Sequence, residues 1–158
     1  MNMQISSSEV KQAQAPHNLF ISGLFMFNLL MTPAIIALKI GMVGLFIPLI
    51  CSGSLISYIY WRGKKASSSF VASHWKLAYK HGLLLFFGYA ISGVLISIAW
   101  LVSLNIHDAN MGHILWTALT RIALVPTLIF VMVTMVMEFS AFSSAAKREI
   151  PAKGAPTT

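Results

Sequence analysis

The sequence predicts an all-α integral membrane protein. Four transmembrane helices form two antiparallel hairpins, joined by a basic linker that carries a short interfacial amphipathic helix. Three observations predict this. Of 158 residues, 57% are hydrophobic and 9% charged, where a soluble domain carries about a quarter charged residues. Four apolar runs approach or exceed the roughly 18–20 residues that cross a bilayer. Five of the eleven Lys and Arg residues fall in one stretch between the second and third runs.

Residues 1–18 are Ser- and Gln-rich, without apolar periodicity, and read as a flexible cytoplasmic tail. The polar start does not look like a signal peptide, so the first span serves as its own insertion signal. That span covers about 19–38 and contains Asn28, Thr32 and Pro33. Pro33 is expected to kink it, with the freed backbone groups satisfied internally. Lys39 to Gly41 is a tight turn, which makes the second span, about 42–60, antiparallel to the first. Gly44, Pro48, Ser52, Gly53 and Ser54 are small or bending residues on it. Small residues let membrane helices approach closely. Tyr58, Tyr60 and Trp61 close the span as an interfacial aromatic belt.

The linker follows, with Arg62, Lys64, Lys65, Lys76 and Lys80 and no acidic residue. Cations that flank membrane spans meet anionic lipid headgroups, so the net charge of +7 does not indicate nucleic acid. From Phe70 the pattern becomes amphipathic. Phe70, Val71, Trp75, Ala78 and Tyr79 share one side, and Ser73, Lys76 and Lys80 the other. This predicts the interfacial helix. His74 and His81, seven residues apart, lie on its apolar side.

The third span covers about 82–104. Gly88 with Ser92, and Gly93 with Ser97, repeat at four-residue spacing and predict a helix-packing seam. A short polar loop contains His107, Asp108 and His113 at its edges. The fourth span, about 114–139, is interrupted by Arg121. Either the span tilts with Arg121 inside it, or Arg121 snorkels to the headgroups near Trp116. Residues 140–158 form a second flexible cytoplasmic tail, leaving 19–139 as a single membrane domain. Nine cations (Lys11, the linker five, Lys147, Arg148 and Lys153) lie on one side of this threading. The positive-inside rule then places both termini in the cytoplasm.

Candidate chemistry is sparse. Asn28, Arg121 and Glu138 are the polar residues within spans, with Glu138 either lining the interior or snorkelling at a span end. His17 and His81 could meet across the bundle, and two axial histidines can hold a haem. His107 and His113 flank Asp108, a thin set for a metal. No carboxylate pair, nucleophile motif or Gly-rich phosphate loop is present. The single cysteine, Cys51, cannot form an intrachain disulfide.

The segment LISYIYWRGKKASSSFVASHWKLAYKHGLLLFFGYAISGVLI, with Tyr58, Arg62, Ser73, His74 and Trp75, resembles the centre of a family of small, uncharacterised bacterial membrane proteins. In these, a span ends in a Tyr- and Arg-containing edge, and a polar linker leads to a Ser-His-aromatic entry. Lys76 stands where that pattern carries its second basic residue. The resemblance implies a small multi-pass bacterial inner-membrane protein and brings no active site.

The sequence is therefore read as a non-enzymatic inner-membrane protein without a cofactor. The first expectation is an accessory, assembly or structural subunit that packs against other membrane subunits or itself. The alternatives are a small transporter lined by Asn28, Arg121 and Glu138, and a haem- or quinone-binding anchor.

Overall fold

A computed structural model describes residues 5–151, apart from the side chains of Met42 and Ala109. Residues 1–4 and 152–158, with Lys153 and the ends of both predicted tails, lie outside the described residues. Among the described residues every element is helical. Four helices are long and apolar enough to cross a membrane: Ser7–Ala37, Val43–Gly63, Ser69–Leu104 and Asn110–Ala146.

The first of these begins as α1 (Ser7–Gly23), well inside the segment read as a tail. A capping box starts it. Ser6 Oγ accepts from the Glu9 N–H at 3.2 Å, and Glu9 Oε2 accepts from the Ser6 N–H at 2.9 Å. Ala13, Pro16, His17, Phe20 and Leu24 then form a buried stripe at three- and four-residue spacing. Before Phe20 the stripe is built from Ala, Pro and His, so composition hid its periodicity.

A π-helical segment (Leu24–Met31) follows, then α2 (Thr32–Ala37). Pro33 lies in the first turn of α2, where a missing N–H is tolerated. The Thr32 hydroxyl donates to the Phe27 carbonyl at 3.1 Å across the widened turn. Lys39 and Gly41 turn the chain with φ of 53° and 87°. A 3₁₀ turn (Met42–Leu45) then leads into α3 (Phe46–Gly63).

The predicted interfacial helix and third span are one element, α4 (Ser69–Leu104), of 36 residues. No proline interrupts that stretch, and a lone glycine costs a helix only about 1 kcal/mol. The Ser68 hydroxyl accepts from the Val71 N–H at its start. The last span divides into α5 (Ala109–Ala123) and α6 (Val125–Ala146). Pro126 has no N–H to continue α5's ladder, which accounts for the break at Leu124. Helix α6 runs past the predicted end at 139.

Two compact units divide the described chain, 5–82 with 135–151 and 83–134. In the first, a Cβ at Gly82 would sit 2.9 Å from Ile56 Cγ1, so α3 and α4 approach closely beside His81. Asn28, on the π segment, donates to Ser52 Oγ of α3 at 3.4 Å. The linker cations rest on aromatic rings: Lys64 Nζ lies 4.3 Å from the Tyr60 centroid, and Lys65 Nζ 4.0 Å from that of Trp61.

In the second unit, α4 and α6 meet at Gly88 and Ser92. A Cβ at Gly88 would lie 2.6 Å from Phe130 Cβ. The Thr127 hydroxyl donates to Ser92 Oγ at 2.8 Å, which also accepts from the Thr127 N–H at 3.2 Å. Gly93 meets nothing within 4 Å, and the exposed Ser97 bonds its own helix at the Gly93 carbonyl. The predicted seam thus separates into two faces, of which Gly88 and Ser92 pack within the chain.

This contrast is testable. Gly88→Ala is expected to destabilise by about 1–3 kcal/mol through overpacking, and Gly93→Ala to be neutral or to stabilise by up to about 1 kcal/mol. Apparent melting temperatures in one mild detergent rank them. Equal temperatures would refute the close α4–α6 contact.

Candidate functional site

Three helices of the first unit each bury a titratable residue on their packed stripe. His17 belongs to the α1 stripe. On α4, Phe70, His74, Ala78 and His81 are buried at helical spacing, and on α6, Glu138, Ala141 and Ala145. The spacing of each stripe dictates that its polar member points where an apolar one otherwise would. His17, His74 and Glu138 are 0% exposed, and His81 is 6% exposed.

They meet around one carboxylate. Glu138 Oε2 lies 2.6 Å from His17 Nδ1, and Oε1 lies 2.6 Å from His81 Nδ1. His17 Nε2 lies 3.0 Å from His74 Nδ1. His74 Nε2 lies 3.1 Å from the main-chain carbonyl of Glu149. Four hydrogen bonds therefore run in series from His81 to the end of α6. Phe70 closes over His74, with ring centroids 4.9 Å apart.

The hydrogen positions follow from the acceptor at one end. A carbonyl only accepts, so His74 Nε2 carries a hydrogen. With His74 neutral, its Nδ1 accepts from His17 Nε2–H. Three neutral imidazoles supply three N–H groups, and four contacts need four hydrogens. The fourth is the acid proton of Glu138, or an imidazolium proton beside the ionised carboxylate. Holding it, the cluster is neutral and every contact is filled. Losing it leaves one net negative charge in a buried site and one contact with lone pairs on both sides. The filled and the charged arrangements of the cluster thus differ by a single hydrogen, and the imidazoles of His17 and His74 connect the carboxyl group to the Glu149 carbonyl.

The sequence paired His17 with His81 directly. The structure places Glu138 between them, one histidine on each oxygen. An imidazole binds iron through a nitrogen lone pair, and both His17 nitrogens are already engaged. Glu138 does not snorkel: it is fully buried, with a histidine nitrogen at hydrogen-bond distance from each oxygen. Asn28 is buried in the same unit, whereas Arg121 is exposed in the other. His107 and His113 are exposed, and Asp108 Oδ1 caps α5 by accepting from the Asn110 and Met111 N–H groups. Among the described residues no group of three or more His, Cys, Asp or Glu has metal-binding geometry. Arg62, Lys64, Lys65, Lys76 and Lys80 are all exposed.

His74 is the site residue that sequence reasoning left out. Its signal was the seven-residue spacing to His81 on an apolar face. Comparison with protein-family models, curated proteins and solved structures finds no match to this chain.

Glutamine at 138 imitates the protonated acid: its amide accepts from His81 Nδ1–H and donates to His17 Nδ1, filling all four contacts. Glu138→Gln is therefore expected to fold with little loss of stability. Glu138→Leu, which strands both histidines, is expected to cost about 3–5 kcal/mol. Thermal unfolding in detergent separates the two. A glutamine variant as unstable as the leucine variant would rule out this hydrogen assignment.

Proposed function

We propose that this chain is a small, non-enzymatic, proton-coupled transport protein of a bacterial inner membrane. Its coupling element is the His17–Glu138–His81 cluster, extended by His74. The observation that carries this reading is the pair of 2.6 Å contacts on the two oxygens of one buried carboxylate. An Arg, Lys or Asp at the centre of a span costs about 2.5–3.5 kcal/mol on insertion scales, and ionisable residues inside spans are rare for that reason. Exchanging a buried ion pair for well-packed apolar residues is often neutral or stabilising. Cohesion alone therefore does not explain four such residues on packed stripes. Exchange of one proton does, since it switches the cluster between neutral and negative, and that difference can bias two conformations of a carrier.

The supporting context is the first unit itself. The buried Asn28–Ser52 pair adds polar lining between the π segment and α3. Arg121, exposed in the second unit, is assigned to headgroups rather than to the lining. The cations from Arg62 to Lys80, with Lys147 and Arg148, belong to the cluster's unit. The positive-inside rule puts that end, and both termini, in the cytoplasm.

A second reading, a subunit of a larger membrane assembly, is favoured by the open Gly93–Ser97 face. It requires a partner held there in the native membrane.

The transport reading is tested in vesicles loaded with a pH dye, under an imposed pH gradient. Solutes from a panel of small anions, cations and neutral compounds are added in turn. At least one class is expected to accelerate proton movement over protein-free vesicles, and Glu138→Gln to abolish the effect while still folding. Identical traces for the wild type and the glutamine variant would exclude it.

A further inference from the structure

A separate cleft in the first unit, of about 330 Å³, lies among α1, the end of α3, the linker and the start of α4. That volume falls at the low end of the roughly 300–1,000 Å³ typical of small-molecule pockets. Its lining combines aromatic rings with cations. Tyr58 and Trp75 meet edge to face, with centroids 6.4 Å apart and planes at 67°. Trp75 is buried, so its ring is fixed. Arg62 and Lys65 also line the cleft, with the neutral Gln12 and Ser67, and no acidic residue does.

The cleft is held in shape by its own contacts. The Ser67 hydroxyl donates to Gln12 Oε1 at 3.1 Å, tying the linker to α1. The Arg62 guanidinium carbon lies 6.0 Å from the Trp75 centroid, and Nη1 donates to the Lys65 carbonyl at 3.4 Å. Arginine has five N–H donors in a planar fork that matches a carboxylate. Lys65 Nζ rests on Trp61, which makes Arg62 the better-placed anchor.

We infer that this cleft binds a small planar organic anion, an aryl or conjugated carboxylate, with its carboxylate on Arg62 and its ring against Tyr58 and Trp75. The inference rests on the transport reading in one respect: such an anion is the solute whose charge the stored proton offsets. One carboxylate moving with one proton carries no net charge. The cleft is also adjacent in sequence to the cluster, since Trp75 follows His74.

Benzoate is the probe, titrated into purified full-length protein in uncharged detergent and followed by calorimetry. Saturable binding is expected. Arg62→Gln should weaken it about tenfold or more, as loss of charge-assisted hydrogen bonds does, with helical content unchanged. Acetate, lacking the ring, should bind more weakly. In vesicles, an inward benzoate gradient should drive proton entry with the wild type beyond that of protein-free vesicles. Glu138→Gln should bind benzoate equally without that added proton entry. Absence of binding, or equal affinity in Arg62→Gln, overturns the cleft. So does Arg62-dependent retention of phosphatidylglycerol in nanodiscs with no benzoate signal, which would make the site a headgroup contact. Loss of the benzoate signal while Glu138-dependent proton movement persists in vesicles overturns the cleft alone. Benzoate binding without added proton entry by the wild type supports the cleft and overturns its coupling.

Discussion

A carboxyl group with no solvent exposure needs a hydrogen-bond partner on each oxygen, and in this chain both partners are imidazoles. Much of the first unit's architecture serves that requirement. Helix α1 has to start well before His17, or the ring would hang from a frayed end; the Ser6–Glu9 capping box secures that start. Helix α4 has to run unbroken through His74 and His81, so that two rings seven residues apart share a face. Helix α6 has to continue beyond Glu138, so that its exit brings a main-chain carbonyl to His74. Each of these lengths exceeds what crossing a bilayer demands.

The low dielectric of the interior makes the cluster decisive. Packed together, three imidazoles and a carboxyl group share hydrogens, and the count of donors against acceptors fixes which arrangements fill every contact. The site is therefore defined by a number of protons as much as by a set of side chains. The aromatic cleft differs in kind. Its cation is exposed and its Trp75 ring is buried, an arrangement suited to a ligand that arrives charged and leaves again.

The architecture was legible where physics is additive. Four long apolar runs, the tight turn after Leu38 and the close approach at Gly88 and Ser92 were all readable from composition and spacing. The α1 start was legible too, in the Ser6-x-x-Glu9 pattern, but a polar composition masked it. The site was legible only in pieces. His17 and His81 stood out as candidates that could meet, and Glu138 stood out as an ionisable residue in a span. Nothing local says that residues 121 positions apart share a hydrogen bond. That pairing depends on the rotation of three helices about their axes. The π segment resets such rotation in the first helix, and an apolar sequence gives no sign of it. Gly93 and Ser97 illustrate the opposite case, since an identical spacing pattern packs against no other helix among the described residues.

The Glu149 carbonyl closes the series of hydrogen bonds, yet it belongs to the main chain. Every amino acid offers the same oxygen at that position. A scan of substitutions at residue 149 would record tolerance, and the position would look dispensable. What the site depends on is the path of the backbone, set by the left-handed turn at Arg148 (φ 62°) and the Glu149 N–H bond back to the Ser144 carbonyl. Its vulnerability is to changes of chain length between Ala146 and Pro151, so insertions and deletions expose what replacements conceal.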